Sequence, residues 1–319
     1  MSENLMSEWQ LTTPVALFVF NRPDTAGSVF AAIRQVRPVR LLLVADGPRS
    51  DRPGEDALCR QARAVMDLVD WPCKVETNYS DVNLGCGQRI SSGLDWVFER
   101  VEEAIILEDD CLPDLSFFRF CSELLERYRD NPRIAQISGV NYQSDRNGSS
   151  GSYYFSRYNH CWGWAAWRRS WQVYDREMKA WPSYRDSNGL SRVLPKRREV
   201  LYWTRILDRV ASGEIDTWDY QWTLSCWRHH MITIIPTVNL VSNIGFGPNA
   251  THTTASQCTY ANLPTDSMKF ALVHPSVIEV NNAADEYTSR LVYRDLTFVE
   301  KVRIVLNKLF SSLAGRRDA

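Results

Sequence analysis

The chain has 319 residues, of which 37 are basic and 38 acidic, so its formal net charge at pH 7 is -1. A chain with this balance has no general attraction to nucleic acid, and any anionic ligand must be held by local groups. The length allows one extended α/β domain, with or without a helical appendage.

The cysteines and the N-terminal residues indicate where the protein works. Eight cysteines are spaced irregularly, without a Cys-x-x-Cys pair, which fits neither a zinc site nor a disulfide framework. The first residues include Glu3 and Glu8 and contain no apolar stretch of signal-peptide length. No segment is apolar for long enough to span a membrane. We therefore expect a reducing, cytoplasmic location.

Apolar runs in the first half of the chain predict buried strands, and each run stops at polar residues. Helix-length segments separate the runs, which is the pattern of a parallel sheet covered on both faces. The expected fold class is therefore α/β, with a doubly wound, Rossmann-like sheet. Because ligands of such sheets bind at the carboxyl ends of the strands, we expect Arg22, Asp46, Asn83 and the acidic residues 108–110 to share one cleft. The runs and the polar residues after them are 15–20 with Asn21 and Arg22, 40–45 with Asp46, 73–78 with Asp81 and Asn83, and 104–107 with Glu108, Asp109 and Asp110.

The acidic triplet at 108–110 is the strongest chemical signal. Such a triplet on a surface is more often a solvated acidic run, but here it ends a buried strand. Carboxylates suit Mg²⁺ or Mn²⁺, which are held by one or two acids together with phosphate oxygens and water. The loop 83–89 (Asn-Leu-Gly-Cys-Gly-Gln-Arg) opens a helix, whose start favours an anion. The alternative for this loop is a tight turn with Arg89 in solvent.

The second half of the chain is less regular. A strand is predicted at 134–138, a polar, glycine-rich loop at 144–152, a helix at 198–211 and a strand at 232–235. Tryptophans and tyrosines crowd into 153–227, which suggests stacking on a sugar or a base. Trp164, Trp167 and Trp171 have helical spacing and are more typical of core. Trp162 or Trp164 remains a candidate sugar platform, with Gly163 making room for the sugar.

The last segment, 298–313, has the pattern of a basic amphipathic helix. We favour a C-terminal helix docked on the domain over peripheral attachment to an anionic membrane through residues 298–317.

The ordered set of motifs resembles the GT-A glycosyltransferases, and among them the N-acetylglucosaminyltransferase I type. The resemblance covers roughly residues 14–255, and its specificity lies in the order of the motifs. One departure is that a histidine which family members place on the helix before the acidic strand falls near Gly93 here. The motifs are Asn21-Arg22 after the first strand, Asp46 after the second, Glu108-Asp109-Asp110 followed by Phe117-Phe118, then Gly163-Trp164, Trp218-Asp219 and the loop 242–247.

The resemblance implies a GT-A fold with a mixed sheet and a helical, aromatic acceptor-side region, and an inverting transfer from a UDP-sugar. It makes Asp110 the metal ligand and Asp219 the base that deprotonates the acceptor hydroxyl. A helix cap is the alternative for Asp219, and Asp216 is the rival base. Donor contacts are expected from Arg22, Asp46, Asn83, Arg89, Asp109 and Ser242, further metal contacts from Glu108 and His252, and acceptor contacts from Trp162, Gly163 and Trp164.

These observations predict a tail at 1–13, a nucleotide-sugar half at 14–140, an acceptor-side half of the same domain at 141–260 and an extension at 261–319. The expected function is metal-dependent sugar transfer from a UDP-sugar, with UDP-GlcNAc as one candidate, to a glycan or lipid-linked saccharide in surface polysaccharide synthesis. One rival is a sugar nucleotidylyltransferase, which Asn21-Arg22-Pro23-Asp24 disfavours because those enzymes carry a glycine-rich loop there. Another is a non-catalytic carbohydrate-binding protein of the same fold.

Overall fold

The computed structural model describes residues 10–143, 151–246 and 260–293. In chain order the elements are β1 (Val15–Val19), α1 (Pro23–Val36), β2 (Arg40–Ala45), α2 (Glu55–Arg63) with a 3-10 turn (Ala64–Leu68), β3 (Lys74–Tyr79), α3 (Cys86–Arg100), β4 (Glu103–Glu108), β5 (Cys111–Pro113), α4 (Ser116–Tyr128), β6 (Ile134–Ser138), β7 (Tyr153–Ser156), β8 (Trp164–Trp167), α5 (Arg168–Trp171), α6 (Trp181–Asp186), α7 (Leu190–Val193), α8 (Arg197–Ala211), α9 (Asp219–Arg228), β9 (Ile232–Pro236), β10 (Val241–Asn243) and α10 (Asn282–Leu291).

The fold class predicted from the sequence is confirmed. Eight strands form one mixed sheet in the order β3-β2-β1-β4-β8-β6-β9-β7. Strands β1 to β4 are mutually parallel, β8 runs antiparallel to both of its neighbours, and β7 is antiparallel to β9. A second, two-stranded sheet pairs β5 with β10. Helices cover both faces of the large sheet, as a doubly wound, Rossmann-like architecture requires.

The strand order creates a crevice between β1 and β4. The chain passes from β1 to β2 and β3 on one side of β1 and then returns to place β4 on the other side. Phe18 lies opposite Glu108 in the parallel register, so the two strands end side by side. Ligands of open α/β sheets bind where the strand order reverses in this way.

Successive side chains of each central strand point to opposite faces of the sheet and pack into two different hydrophobic cores. In β1, Val15, Leu17 and Val19 belong to the core on one face, while Ala16 and Phe18 belong to the core on the other. The strands are buried on both faces, which explains why they read as continuous apolar runs.

The tryptophan spacing at 164–171 predicted a helix, and this prediction is wrong. Trp164–Trp167 is strand β8, and only Arg168–Trp171 is helical. The spacing crosses a strand-to-helix junction, where a single period does not apply. The expectation that these tryptophans are core is confirmed, since Trp164, Trp167 and Trp171 are 1%, 2% and 4% exposed.

A third core, which we call the helical aromatic core, is built mostly from the short helices of the second half. Its buried members are Tyr158, Met178, Trp181, Leu190, Leu194, Trp203, Leu207, Val210, Leu224 and Trp227, with Tyr293 packed against them. The rings of Trp203 and Trp227 lie 4.7 Å apart and nearly perpendicular, and those of Trp203 and Tyr293 4.9 Å apart.

Helix α10 joins the end of the described chain to the second half. Buried Asp285 accepts a hydrogen bond from the Arg157 backbone N–H at 3.0 Å and forms an ion pair with its guanidinium at 2.9 Å. The basic segment 298–317 lies outside the described residues. Among the helices that are described, none combines the length and the apolar character needed to cross a bilayer.

Candidate functional site

A cavity of about 410 Å³ opens at the carboxyl ends of β1, β2 and β4, and we call it the strand-end cavity. Six residues that the sequence predicted to share one cleft all line it: Arg22, Asp46, Asn83, Glu108, Asp109 and Asp110. Arg89 and Trp162, which were also predicted, lie in the same wall. Further lining residues that the sequence analysis did not single out as ligands are Phe20, Arg49, Cys86, Asn243, Gly245 and Phe246.

An ion pair between Arg22 and Asp110 marks the crevice between β1 and β4. Pro23 begins α1 and leaves Arg22 at the N-cap position, from where Nη1 donates to Asp110 Oδ2 at 2.8 Å. The small β5–β10 sheet brings the end of β10 to the same point, where Asn243 Nδ2 lies 3.3 Å from Asp110 Oδ1. A Cβ on Gly245 would lie 2.1 Å from Asp110 Oδ2, so only glycine permits this close approach.

The other two acids of the triplet are held differently. Asp109 is 8% exposed and its Oδ2 accepts the Phe20 backbone N–H at 3.0 Å, which ties the end of β1 to β4. Burial, and next to it the charge of Asp110, raises the pKa of Asp109 to about 7. Burial and the charges of Asp110 and Asp109 also raise the pKa of Glu108 well above its ordinary value.

The acidic end of the strand-end cavity carries more negative than positive charge. Arg22 is the cation that acts on both Glu108 and Asp109, whereas each of them feels the repulsion of Asp110. A divalent cation would relieve this repulsion, and the donor oxygens are of the type that Mg²⁺ and Mn²⁺ prefer. Within the described ranges no three side chains form a group that could hold a metal ion on their own. An ion there would need ligands from substrate or water.

Asp46 connects the loop after β2 to the loop before α3. It is 6% exposed, and its Oδ1 accepts the backbone N–H groups of Gly47 and Leu84, each at 2.9 Å. Its Oδ2 accepts Asn83 Nδ2 at 3.0 Å. Burial raises the pKa of Asp46, and the hydrogen bonds oppose that effect. Asp46 therefore shapes the cavity wall as well as facing it.

Arg89 is buried rather than in solvent, so the tight-turn alternative for its side chain is wrong. It is 7% exposed, and Nη2 donates to the carbonyl and the side-chain oxygen of Asn78, at the end of β3, at 2.5 and 2.8 Å. Its buried Nε has no hydrogen-bond partner in the part of the chain that the structure describes. One turn further along α3, a Cβ on Gly93 would lie 2.6 Å from both Phe18 and Val44, so no histidine fits there.

An ion pair between the partly exposed Arg49 and the buried Glu55, which the sequence analysis missed, holds the β2 side of the cavity. Glu55 is 5% exposed and accepts Arg49 Nε at 3.1 Å, the Arg49 backbone N–H at 2.7 Å and Asn21 Nδ2 at 2.9 Å. Burial by itself would raise the pKa of Glu55, but the hydrogen bonds from Arg49 and Asn21 outweigh it and the pKa is lowered. The Arg49 guanidinium carbon lies 5.5 Å from the centre of the Phe20 ring.

Trp162 forms an aromatic edge of the cavity, together with Phe246 at 5.6 Å and Tyr142 at 5.4 Å. The other two predicted acceptor contacts are wrong. Trp164 is 1% exposed and stacks on Trp218 at 5.6 Å, which leaves no face for a sugar.

Gly163 adopts a φ of 61°, and a Cβ on it would lie 2.7 Å from Val241 Cγ2. The missing side chain therefore makes room for protein packing and not for a ligand.

The two candidate bases lie on the segment that leads into α9. Asp216 lines the cavity, and its Oδ1 accepts the Gly87 backbone N–H at 3.0 Å, in the first turn of α3. Asp219 begins α9 while Trp218 occupies the N-cap position, so Asp219 is not the cap. The Asp219 carboxylate accepts the Thr217 hydroxyl, and its charge contributes to the raised pKa of Glu108.

One predicted donor contact is not brought to the site. Ser242 pairs with Leu112 inside the small sheet and does not line the cavity, and its neighbour Asn243 takes that place. His252 lies outside the described residues. The seven cysteines within the described ranges are free.

Comparison with solved structures finds loose similarity to two enzymes. One is the mannosyltransferase PcManGT from Pyrobaculum calidifontis in complex with GDP-Man and Mn²⁺, at 12% identity and a TM-score of 0.34, covering 53% of this chain and 47% of that chain. The other is a UDP-glucose pyrophosphorylase complexed with UDP-glucose, at 10% identity and a TM-score of 0.26, covering 46% of this chain and 64% of that chain. The chain thus spans less than two thirds of either protein. No family model matches the sequence, and no curated protein does.

Proposed function

We propose that the protein is a metal-dependent, inverting glycosyltransferase that uses a nucleotide-sugar, most directly a UDP-sugar, as donor. The acceptor we propose is a glycan or a lipid-linked saccharide, as in surface polysaccharide synthesis. The resemblance to the N-acetylglucosaminyltransferase I type suggests the donor and the inversion.

The observation that carries this proposal is the Arg22–Asp110 ion pair at the crevice between β1 and β4. The backbone at Gly245 covers the pair. The pair lies in the wall of a cavity of about 410 Å³ that reaches the end of β2 and the loop before α3. A cation-binding acid next to an arginine suits a diphosphate, and the remaining length of the cavity suits the nucleoside.

Asp110 is the residue we propose as the main metal ligand, with Glu108 beside it. A divalent ion bound there would neutralise the charge that develops on the departing nucleoside diphosphate. Arg22 would then turn from Asp110 toward the diphosphate oxygens, since a guanidinium binds phosphate and carboxylate with the same geometry.

In the proposed reaction the acceptor hydroxyl attacks the anomeric carbon, and the bond from that carbon to the diphosphate oxygen breaks. The hydroxyl proton passes to a carboxylate, for which we propose Asp219, with Asp216 as the rival. An ordinary Asp has a pKa of about 3.9, so it is ionised at neutral pH and takes the proton as the new bond forms.

Hydrolysis of a UDP-sugar in the presence of Mn²⁺ tests the proposal without knowledge of the acceptor. The wild type should release UDP slowly, and Asp110→Asn should lower that rate at least 100-fold. Asp56→Asn is the matched control, because Asp56 is exposed on α2 and pairs only with Arg60 there. No UDP release from any nucleotide-sugar, or equal release by Asp110→Asn, would contradict a transferase centred on Asp110.

The same protein incubated with UTP and a sugar 1-phosphate tests the nucleotidylyltransferase rival. Pyrophosphate release would favour that rival. The segment between β1 and α1 is only three residues long, without glycine, and leaves no room for a phosphate-binding loop there.

A further inference from the structure

The end of the strand-end cavity away from Asp110 has its own chemistry. By the strand order β3-β2-β1-β4, the acidic triplet lies at the β4 side, and the β3 and β2 ends lie furthest from it. If the diphosphate lies near Asp110, as proposed above, the nucleobase lies toward the ends of β1, β2 and β3. The present inference rests on that proposed function.

Two guanidinium groups and one carboxylate face this end, and each belongs to a different strand end. Arg89 is hydrogen bonded to Asn78 on β3, Asp46 follows β2 directly, and Arg49 lies over Phe20, which follows β1. Because β2 lies between β3 and β1, the Asp46 carboxylate lies between the two guanidiniums in sheet order.

Both guanidiniums keep an N–H group that no described protein atom accepts. In Arg49, Nε and Nη2 donate to Glu55, and Nη1 has no acceptor among the described residues. In Arg89, which lines the cavity, Nη2 donates to Asn78, and neither Nη1 nor the buried Nε has an acceptor among the same residues. A donor that lacks an acceptor inside a cavity is unfavourable, so a ligand that supplies the acceptor is favoured.

Asp46 retains capacity as an acceptor between them. Its Oδ1 accepts two backbone N–H groups, whereas Oδ2 accepts Asn83 Nδ2 at 3.0 Å and only a longer contact from the Leu84 N–H at 3.2 Å. A carboxylate oxygen has two lone pairs, so Oδ2 can accept a further donor in place of that longer contact. In order across the strands the array is therefore donor, acceptor, donor.

We infer that Arg89, Asp46 and Arg49 read the imide edge of uracil, with Arg49 and Arg89 as the residues that determine base specificity. Uracil presents an N–H donor between two carbonyl acceptors, which complements the array at all three positions. Cytosine mismatches two of the three positions, because it presents a ring nitrogen acceptor where uracil has a donor and an amino donor where uracil has a carbonyl acceptor. Guanine mismatches one position, where its amino group is a donor, and it is larger than uracil. Adenine has no carbonyl group.

Glu55 acts in this account as a positioning residue for Arg49. It is buried and fixes two nitrogens of the guanidinium, so only Nη1 is left for the ligand. Asn21, which lines the same cavity, binds the same carboxylate and restricts it further.

The test is a set of dissociation constants for UDP, CDP, GDP, ADP and inorganic pyrophosphate, measured calorimetrically with Mn²⁺. The wild type should bind UDP at least tenfold more tightly than the other three nucleotides. Arg49→Leu should weaken UDP about tenfold, while CDP and pyrophosphate change less than twofold. UDP methylated at N3 should bind the wild type as weakly as CDP, because the methyl group removes the donor that meets Asp46.

Variants with a second readout keep the test decisive. Arg89→Met should also lower the ratio of UDP to CDP affinity, but its burial makes loss of folding possible, and thermal unfolding identifies that case. Arg49, whose side chain is 36% exposed, then carries the test. Glu55→Gln should lower the same ratio, and the double variant with Arg49→Leu should be no worse than Arg49→Leu alone. Arg60→Leu is the control, since its side chain is 69% exposed on α2.

The outcomes separate this inference from the proposed function. Binding of GDP, ADP or CDP as tight as that of UDP would overturn the base reading and leave the transferase intact. Equal weakening of all nucleotides and of pyrophosphate by Arg49→Leu would also overturn it, because it would mean a phosphate contact. Failure of the wild type to bind any nucleotide or pyrophosphate with Mn²⁺ would overturn the proposed function and this inference with it.

Discussion

The strand-end cavity and the helical aromatic core both contain residue types that commonly bind ligands. In the aromatic core these side chains pack against one another, whereas in the cavity they keep charge and hydrogen-bond capacity that the protein does not use. In the aromatic core, Trp203 and Trp227 are each 1% exposed, and their ring faces and edges pack against one another. In the strand-end cavity, Glu108 is repelled by its acidic neighbours and Arg89 keeps a buried nitrogen without a described partner. Unbalanced charge and unused hydrogen-bond capacity mark a binding site, whereas aromatic density by itself marks packing.

The largest expected effect is a loss of stability in the helical aromatic core. Trp203→Ala should lower the free energy of unfolding by about 3–5 kcal/mol, because it removes a fully buried ring from a dense cluster. Denaturant unfolding measures the loss. Leu201→Ala on the same helix is the control, since Leu201 is 55% exposed and should change stability little. A folded, equally stable Trp203→Ala protein would contradict a packing role and favour a ligand role.

The two candidate bases, Asp219 and Asp216, test the catalytic role proposed for the strand-end cavity. Asp219→Asn should lower transfer about 100-fold and leave the UDP dissociation constant within twofold, because the base acts in the chemical step. Asp216→Asn should lower transfer less than tenfold, since the amide oxygen still accepts the Gly87 N–H. A large loss in Asp216→Asn with little loss in Asp219→Asn would exchange the two roles.

The buried side chain of His160 should make the stability of the protein depend on pH. It is 3% exposed beside Tyr142, and burial lowers its pKa to about 3. Because the folded pKa lies below the unfolded value, stability is complete above about pH 6.5 and falls as the pH decreases. Between pH 6.5 and pH 5 the loss should be about 2 kcal/mol.

Unfolding at pH 7 and pH 5 measures this contribution. In His160→Phe the difference in stability between the two pH values should shrink by the same amount, while exposed His230→Asn should leave it unchanged. An unchanged difference in His160→Phe would show that His160 does not carry the effect.

The smallest effect is expected for Trp162, whose proposed role is to contact the acceptor, unlike the packing role of the buried tryptophans. Trp162→Ala should raise the KM for the acceptor up to tenfold, with kcat and the UDP dissociation constant within twofold, because a lost stacking contact weakens binding alone. Trp96→Ala is the control: Trp96 is half-buried on α3 under Arg100, away from the cavity lining. Equal KM values for wild type and Trp162→Ala would remove Trp162 from the acceptor site.

The sequence was sufficient for the parallel half of the fold. The runs at 15–20, 40–45, 73–78 and 104–107 became β1 to β4 within one or two residues, because strands buried on both faces are continuously apolar. The second half was harder. β7 is only four residues long, and β8 passes directly into a helix, so neither shows a recognisable period.

The candidate site was predictable where strand ends carry it. Arg22, Asp46 and Asp110 lie within three residues of the ends of their strands, so the topology brings them together. The Arg49–Glu55 pair could not be predicted in the same way, because six residues of polar loop look like solvated surface. Its burial depends on how that loop folds over the end of β1.

The account depends on a cation that links Asp110 to a diphosphate, and Mn²⁺ binding followed by electron paramagnetic resonance tests this most directly. Free Mn²⁺ gives a strong signal that is lost on binding. Because no described side chains form a complete site, Mn²⁺ should bind weakly alone and at least tenfold more tightly with UDP present. Asp110→Asn should abolish that increase. Mn²⁺ binding that is equally tight without UDP, or that Asp110→Asn leaves unchanged, would contradict the account.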